Sequence, residues 1–167
     1  MQFKSTPDSA TILGYLAAGA LWIALLGPAW AYIPATPTNP SANMNFADFV
    51  ALNAAMPAGG LQDAFYSWNA WLFAALATAL ILLGRRRRTK SAGIVAVVLG
   101  LVQLVVSVLA LKGEATVAMM VDNLPYLRIG SALFVIGIFL LIASGVVRLA
   151  SSRTPGNAPF ASPVPAQ

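Results

Sequence analysis

Residues 81–95 read ILLGRRRRTKSAGIV, four arginines and a lysine set between two runs of nearly pure hydrocarbon. The run before them reaches back to Phe65, and the run after them continues to Leu111. A bilayer core about 30 Å thick is crossed by roughly 20 apolar residues in a helix. Each run is therefore long enough to span, and the basic turn joins the two on one side. Working outward, two further runs qualify. The chain has four expected spans, near Ala10–Tyr32, Phe65–Gly84, Ser91–Leu111 and Tyr126–Val147.

Composition agrees with this reading. Apolar residues make up 59% of the 167 and charged residues 9%, against about 25% charged in a soluble domain. So little charge cannot keep a globular surface in water. The expected fold is all-α, a transmembrane four-helix bundle over residues 1–148, with a disordered cytoplasmic tail over 149–167 rich in Pro, Ser and Ala.

The fifteen charges divide by side. Lys4, Arg85, Arg86, Arg87, Arg88, Lys90, Arg148 and Arg153 fall on one side of the spans, and Lys112 and Arg128 on the other. Asp48, Asp63, Glu114 and Asp122 lie with the second pair, leaving Asp8 alone with the first group. Short loops rich in Lys and Arg stay in the cytoplasm. Both termini are thus expected inside a plasma (inner) membrane, with two loops outside. Arg85, Arg86, Arg87, Arg88 and Lys90 set topology and also meet anionic lipid headgroups. Nucleic acid is not an expected partner, because a short turn between spans lacks a basic surface interleaved with stacking aromatics.

Span one also carries features of a signal peptide. Pro28 breaks the helix, and Ala29-Trp30-Ala31 fits a small-x-small cleavage pattern. The n-region has one lysine offset by Asp8, and span one carries a small-residue stripe, so its retention is expected.

Helices in lipid associate through small residues and occasional polar contacts, repeating every seven residues in a left-handed bundle. In span three this set is Gly93, Ala96, Gly100, Gln103, Ser107 and Ala110, while the other faces are Val, Leu and Ile. Span two gives Ser67, Ala70, Ala74, Ala77, Ile81 and Gly84; span one gives Ala17, Ala20, Ala24, Gly27 and Ala31. In span four, Gly130, Gly137 and Ser144 fall seven apart. Gln103, at the middle of span three, is expected to hydrogen-bond between helices. No second polar group stands opposite it in an obvious way, and Asn69 reads as an interfacial residue.

The first outside loop begins YIPATPTNPSANMN, where Pro34, Pro37 and Pro40 favour an extended path. A short extracytoplasmic helix follows from Asn45, with Asp48 three residues on in capping-box spacing, and stops before Pro57. Phe46, Phe49 and Val50 share one of its faces. That face either covers the bundle's outer end or docks a partner.

Catalysis needs titratable groups brought together. The chain has no His, no Cys and five carboxylates, four of them scattered over the outside loops. No phosphate loop or metal-ligand spacing occurs. No enzymatic activity, cofactor or metal is therefore expected. At GLQDAFYSWNAWLFA (Gly60–Ala74) and YLRIGSALFVIGIFLLIASGVV (Tyr126–Val147) the chain resembles small four-span membrane proteins frequent in actinobacteria. In those an aromatic YxxWxxW entry to span two accompanies a glycine-bearing last span; here Tyr66, Trp68 and Trp71 depart from that spacing. The resemblance implies a cell-envelope membrane protein and lends no catalytic residues. The expected role is an interaction or accessory component of a plasma-membrane assembly, with membrane lipids and other membrane subunits or a second copy as partners. The alternative is a binder or carrier of an apolar, lipid-like solute between the spans.

Overall fold

The computed structural model describes residues 8–57, 59–86, 90–112 and 117–151. Lys4, Arg87, Arg88, Arg153 and the tail from residue 152 lie outside them. Four helices are long and apolar enough to cross a membrane, and the chain is a multi-pass helical membrane protein.

Helix α1, Ser9–Leu26, starts at Asp8, whose carboxylate accepts from the Thr11 amide at 2.8 Å. Such a cap satisfies one of the amides that a helix start leaves open. α1 ends at Gly27, whose N–H donates to the Ile23 carbonyl. Pro28 has no N–H to continue the ladder, so the helix stops six residues short of the expected Tyr32. Its 18 residues span about 27 Å, which is close to the hydrocarbon thickness.

The chain then forms a hairpin that the extended, proline-spaced reading missed. Strands β1, Ala31–Ile33, and β2, Ala42–Met44, pair antiparallel with Ala31 opposite Met44 and Ile33 opposite Ala42. Between them the Thr36 amide donates to the Asn39 carbonyl at 2.8 Å, and the Asn39 amide donates to the Thr36 hydroxyl at 3.1 Å. Helix α2, Phe46–Ala55, follows with the expected capping box. Asn45 Oδ1 accepts from the Asp48 amide at 3.0 Å, and Asp48 Oδ2 accepts from the Asn45 amide at 2.8 Å.

Span two starts earlier than expected and is not uniformly α-helical. Helix α3, Gly60–Ala64, runs through a π-helical turn, Phe65–Asn69, into α4, Ala70–Arg86. Span three is α5, Lys90–Lys112. A short α6, Val117–Asn123, and a 3-10 turn, Leu124–Tyr126, lead to α7, Ile129–Ser151, which begins three residues later than expected.

Helix α7 lies between α1 and α5, and α1 also packs on α4. A helix flanked on two sides needs small residues on two faces. Toward α1, a Cβ at Gly137 would come within 2.8 Å of Leu21 Cγ and 3.2 Å of the Ala17 carbonyl oxygen. On the same side the Ser144 hydroxyl donates to the Ala10 carbonyl at 2.7 Å. Toward α5, a Cβ at Gly145 would lie 2.7 Å from the Gly93 carbonyl oxygen. One at Gly100 would lie 2.5 Å from Ile142 Cγ1. Backbones approach this closely only where Cβ atoms are missing, and dispersion across such contacts holds helices together in lipid.

The loop-bearing end is closed by aromatic rings. Trp30 lies 4.9 Å from Phe46 and 5.2 Å from Phe134, and Phe65 contacts all three. Phe46, Phe65 and Phe134 are almost fully buried. Such tilted and edge-on pairs add about 0.5–1.5 kcal/mol each beyond simple burial. The Trp30 indole donates to the Ala24 carbonyl at 2.6 Å, one of those left open at the end of α1. Residues 29–31 are held on both sides by the backbone: Trp30 N–H donates to Met44 O at 2.7 Å, and Trp30 O accepts from the Arg128 amide at 2.9 Å. Gly130 must be glycine here, because a Cβ would sit 2.7 Å from the Pro28 carbonyl and 2.8 Å from that of Ala29.

Candidate functional site

In a chain this apolar, the interior polar groups mark where specificity can reside. The largest such group is on α5. Its buried residues are Gly93, Ala96, Gly100, Gln103, Ser107 and Ala110, all on the face toward α7 and α4. Gln103, only 3% exposed, donates from Nε2 to Asn69 Oδ1 at 3.0 Å, with the Ser107 hydroxyl 3.4 Å away. Asn69 is therefore the opposite partner that the sequence reading lacked, and not merely an interfacial residue.

The π-helical turn brings Asn69 there. Its wider turn, closed by the Ala70 amide donating to the Phe65 carbonyl, delays the rotation of the helix by about one residue. Ser67, counted on the packing face under a uniform α-helical phase, is exposed instead. Phe65 and Tyr66 are buried in its place, while Ala70, Ala74, Ala77, Ile81 and Gly84 remain inside. The stripe of span one also differs. Ala17 and Ala24 are buried, but Ala20 and Ala31 are half-buried and Gly27 is exposed. Gly14, Ala18, Leu21 and Leu25 complete the buried face, because Leu21 fills the hollow over Gly137. In α7, Gly130, Gly137 and Ser144 are all buried, together with Gly145, which seven-residue counting omits.

A second polar tie joins α1 to α4: the Trp22 indole donates to the Thr78 hydroxyl at 2.9 Å, which donates to the Ala74 carbonyl at 2.8 Å. At the basic end, Arg148 Nη1 donates to the Gly84 carbonyl at 3.0 Å. Beside it is a cleft of about 10 Å³, lined by Leu80, Ile81, Ala92, Ala96, Leu141, Ser144 and Arg148. That is room for about one water molecule. Arg85 and Arg86 end α4, and Lys90, exposed, begins α5.

The face of α2 offered as a docking surface is turned inward. Phe46 is fully buried, and Phe49 stacks on Tyr66 at 5.5 Å with 14° between the rings. Val50 is half-buried against the core. These three side chains cover the end of the bundle, and α2 exposes Leu52, with Met56 following it.

The side chains that bridge elements here are amides, hydroxyls, an indole and one guanidinium, while Asp63 Oδ1 is buried with no hydrogen-bond partner among the described residues. Among the described residues no three of His, Cys, Asp and Glu come together. Gln103, Ser144, Trp22 and Arg148 each tie one spanning segment to another. Comparison of the chain with family models, with curated proteins and with solved structures finds no match.

Proposed function

We propose that the chain is a non-enzymatic accessory component of a plasma-membrane assembly, with both termini in the cytoplasm. The observation that carries this reading is the close packing of helix on helix among the described residues. The α5–α7 contact brings backbone against backbone at Gly93 and Gly145. The Gln103 amide is used within the bundle, and the cleft by Arg148 admits no more than a water. Such an interior leaves the outer surface as the working part, through contact with other membrane subunits or a second copy. A carrier of an apolar solute would need a cavity of several hundred Å³.

The placement of charge supports the orientation. The basic turn and Arg148 lie at one end, and Asp48, Asp63 and Asp122 belong to the segments of the other. The test is affinity capture of the full-length, C-terminally tagged chain in native-membrane nanodiscs. Recovery of a larger membrane protein in fixed ratio to the chain is expected. Recovery of the chain alone with an apolar small molecule in stoichiometric amount would replace this reading with the carrier.

A further inference from the structure

Among the described residues the guanidinium of Arg148 has no carboxylate partner. Arg148 sits in the last turn of α7, half-buried. Gly84 permits its approach to α4, since a Cβ there would lie 2.5 Å from Nη1. The Gly84 carbonyl engages one donor of the five that a guanidinium carries. No Asp or Glu occurs between Asp63 and Glu114, nor after Asp122. The acid at this end of α1, Asp8, is engaged with the Thr11 amide as a helix cap. A partly desolvated cation with spare donors and no carboxylate partner is unfavourable unless an anion meets it.

We propose that this end of the bundle binds an anionic phospholipid, with the Arg148 guanidinium holding the lipid phosphate at the mouth of the cleft between α4, α5 and α7. Phosphate matches the planar fork of arginine in a two-point hydrogen bond. Of the apolar residues beside the guanidinium, Ile81 and Ala96 are buried, while half-buried Leu80 and Ala92 leave apolar surface at the mouth, suited to the glycerol end of a lipid and not to a hydrated free anion. Exposed Lys90, at the start of α5, adds positive charge on the same end. Basic recesses between spanning helices take anionic headgroups by this combination of charge and apolar wall. The site is independent of the accessory role proposed above.

Native mass spectrometry of the full-length chain in dodecyl maltoside tests it. The probes are dioleoyl phosphatidylglycerol, dioleoyl phosphatidylcholine and inorganic phosphate. Phosphatidylglycerol is expected to bind about tenfold more tightly than phosphatidylcholine, and Arg148→Gln to remove about that factor, as loss of a charge-assisted hydrogen bond does. Arg148→Lys keeps the charge but loses the fork, so it retains part of the preference. Arg128→Gln, at the opposite end, retains all of it. Ala92→Leu crowds the cleft with Arg148 intact and also weakens binding, which keeps the test open should Arg148→Gln misfold. Equal binding of the two lipids, an Arg148→Gln variant that binds like the parent, or inorganic phosphate competing for the site would each overturn the proposal.

Discussion

Gly145→Ala tests the α5–α7 contact where backbone meets backbone. The added Cβ would lie 2.7 Å from the Gly93 carbonyl oxygen, 2.8 Å from Val97 Cγ2 and 3.1 Å from Ala96 Cβ. Ordinary contact begins near 3.4 Å, so relief at the carbonyl requires a movement of about 0.7 Å. A carbonyl in mid-ladder cannot swing aside as a side chain can, so the helices must separate. A gap of 0.5–1 Å forfeits roughly a quarter to a half of the dispersion energy of each affected atom pair. The expected loss is about 1–3 kcal/mol. Gly100→Ala should cost less, because its 2.5 Å clash is with Ile142, a side chain that can change rotamer. Gly19→Ala is the control. Nothing lies within 4 Å of its Cβ, and the exchange removes the helix penalty of glycine, about 0.8–1 kcal/mol. Thermal unfolding in one fixed detergent should therefore rank Gly19→Ala above the parent, then Gly100→Ala, then Gly145→Ala. If Gly145→Ala is tolerated as well as Gly19→Ala, α5 and α7 are not in backbone contact and the bundle order is wrong.

Three further outcomes are expected. Gln103→Leu and Asn69→Leu should each destabilise the bundle by about 0.6–1.7 kcal/mol, and the double variant should lose little more than either alone; additive losses in a double-mutant cycle would show that the amides do not meet. Asn45→Ala should cost about 1 kcal/mol and speed amide exchange across residues 46–55, the span of α2, while unchanged exchange there would mean that the capping box does not hold α2 in place. Because the chain has no native Cys, single cysteines report orientation directly: Ser41→Cys and Thr116→Cys should label with a membrane-impermeant maleimide in intact cells and Thr89→Cys only after permeabilisation, the reverse pattern inverting the proposed topology.

The sequence was most legible where the helix is regular. α5 keeps one α-helical phase from Lys90 to Lys112, so counting by sevens from Gly93 stays on one face to Ala110. The helical class and the α2 cap were legible for a similar reason, since hydrocarbon runs and Asn45–Asp48 spacing are local signals. The hairpin was not legible, because three-residue strands are too short to show alternation and Pro34, Pro37 and Pro40 suggested an unpaired path. In α1 the abundance of alanine made several seven-residue sets look alike. What selects among them is Leu21, a large residue whose place is fixed by Gly137 on another helix.

Asn69 and Gly145 show two limits of a single-phase, single-face reading. A heptad count presumes that each residue advances the helix by the same angle. The π-helical turn at Phe65–Asn69 breaks that rule, turning Ser67 out and bringing Asn69 to Gln103, and no residue in FYSWN announces the extra width. A heptad count also presumes one partner per helix. α7 has two, so it needs one small-residue row toward α1 and another small position, Gly145, toward α5. The neighbouring letters Ser144-Gly145 contain both faces, but only the position of α5 shows that the second is a contact.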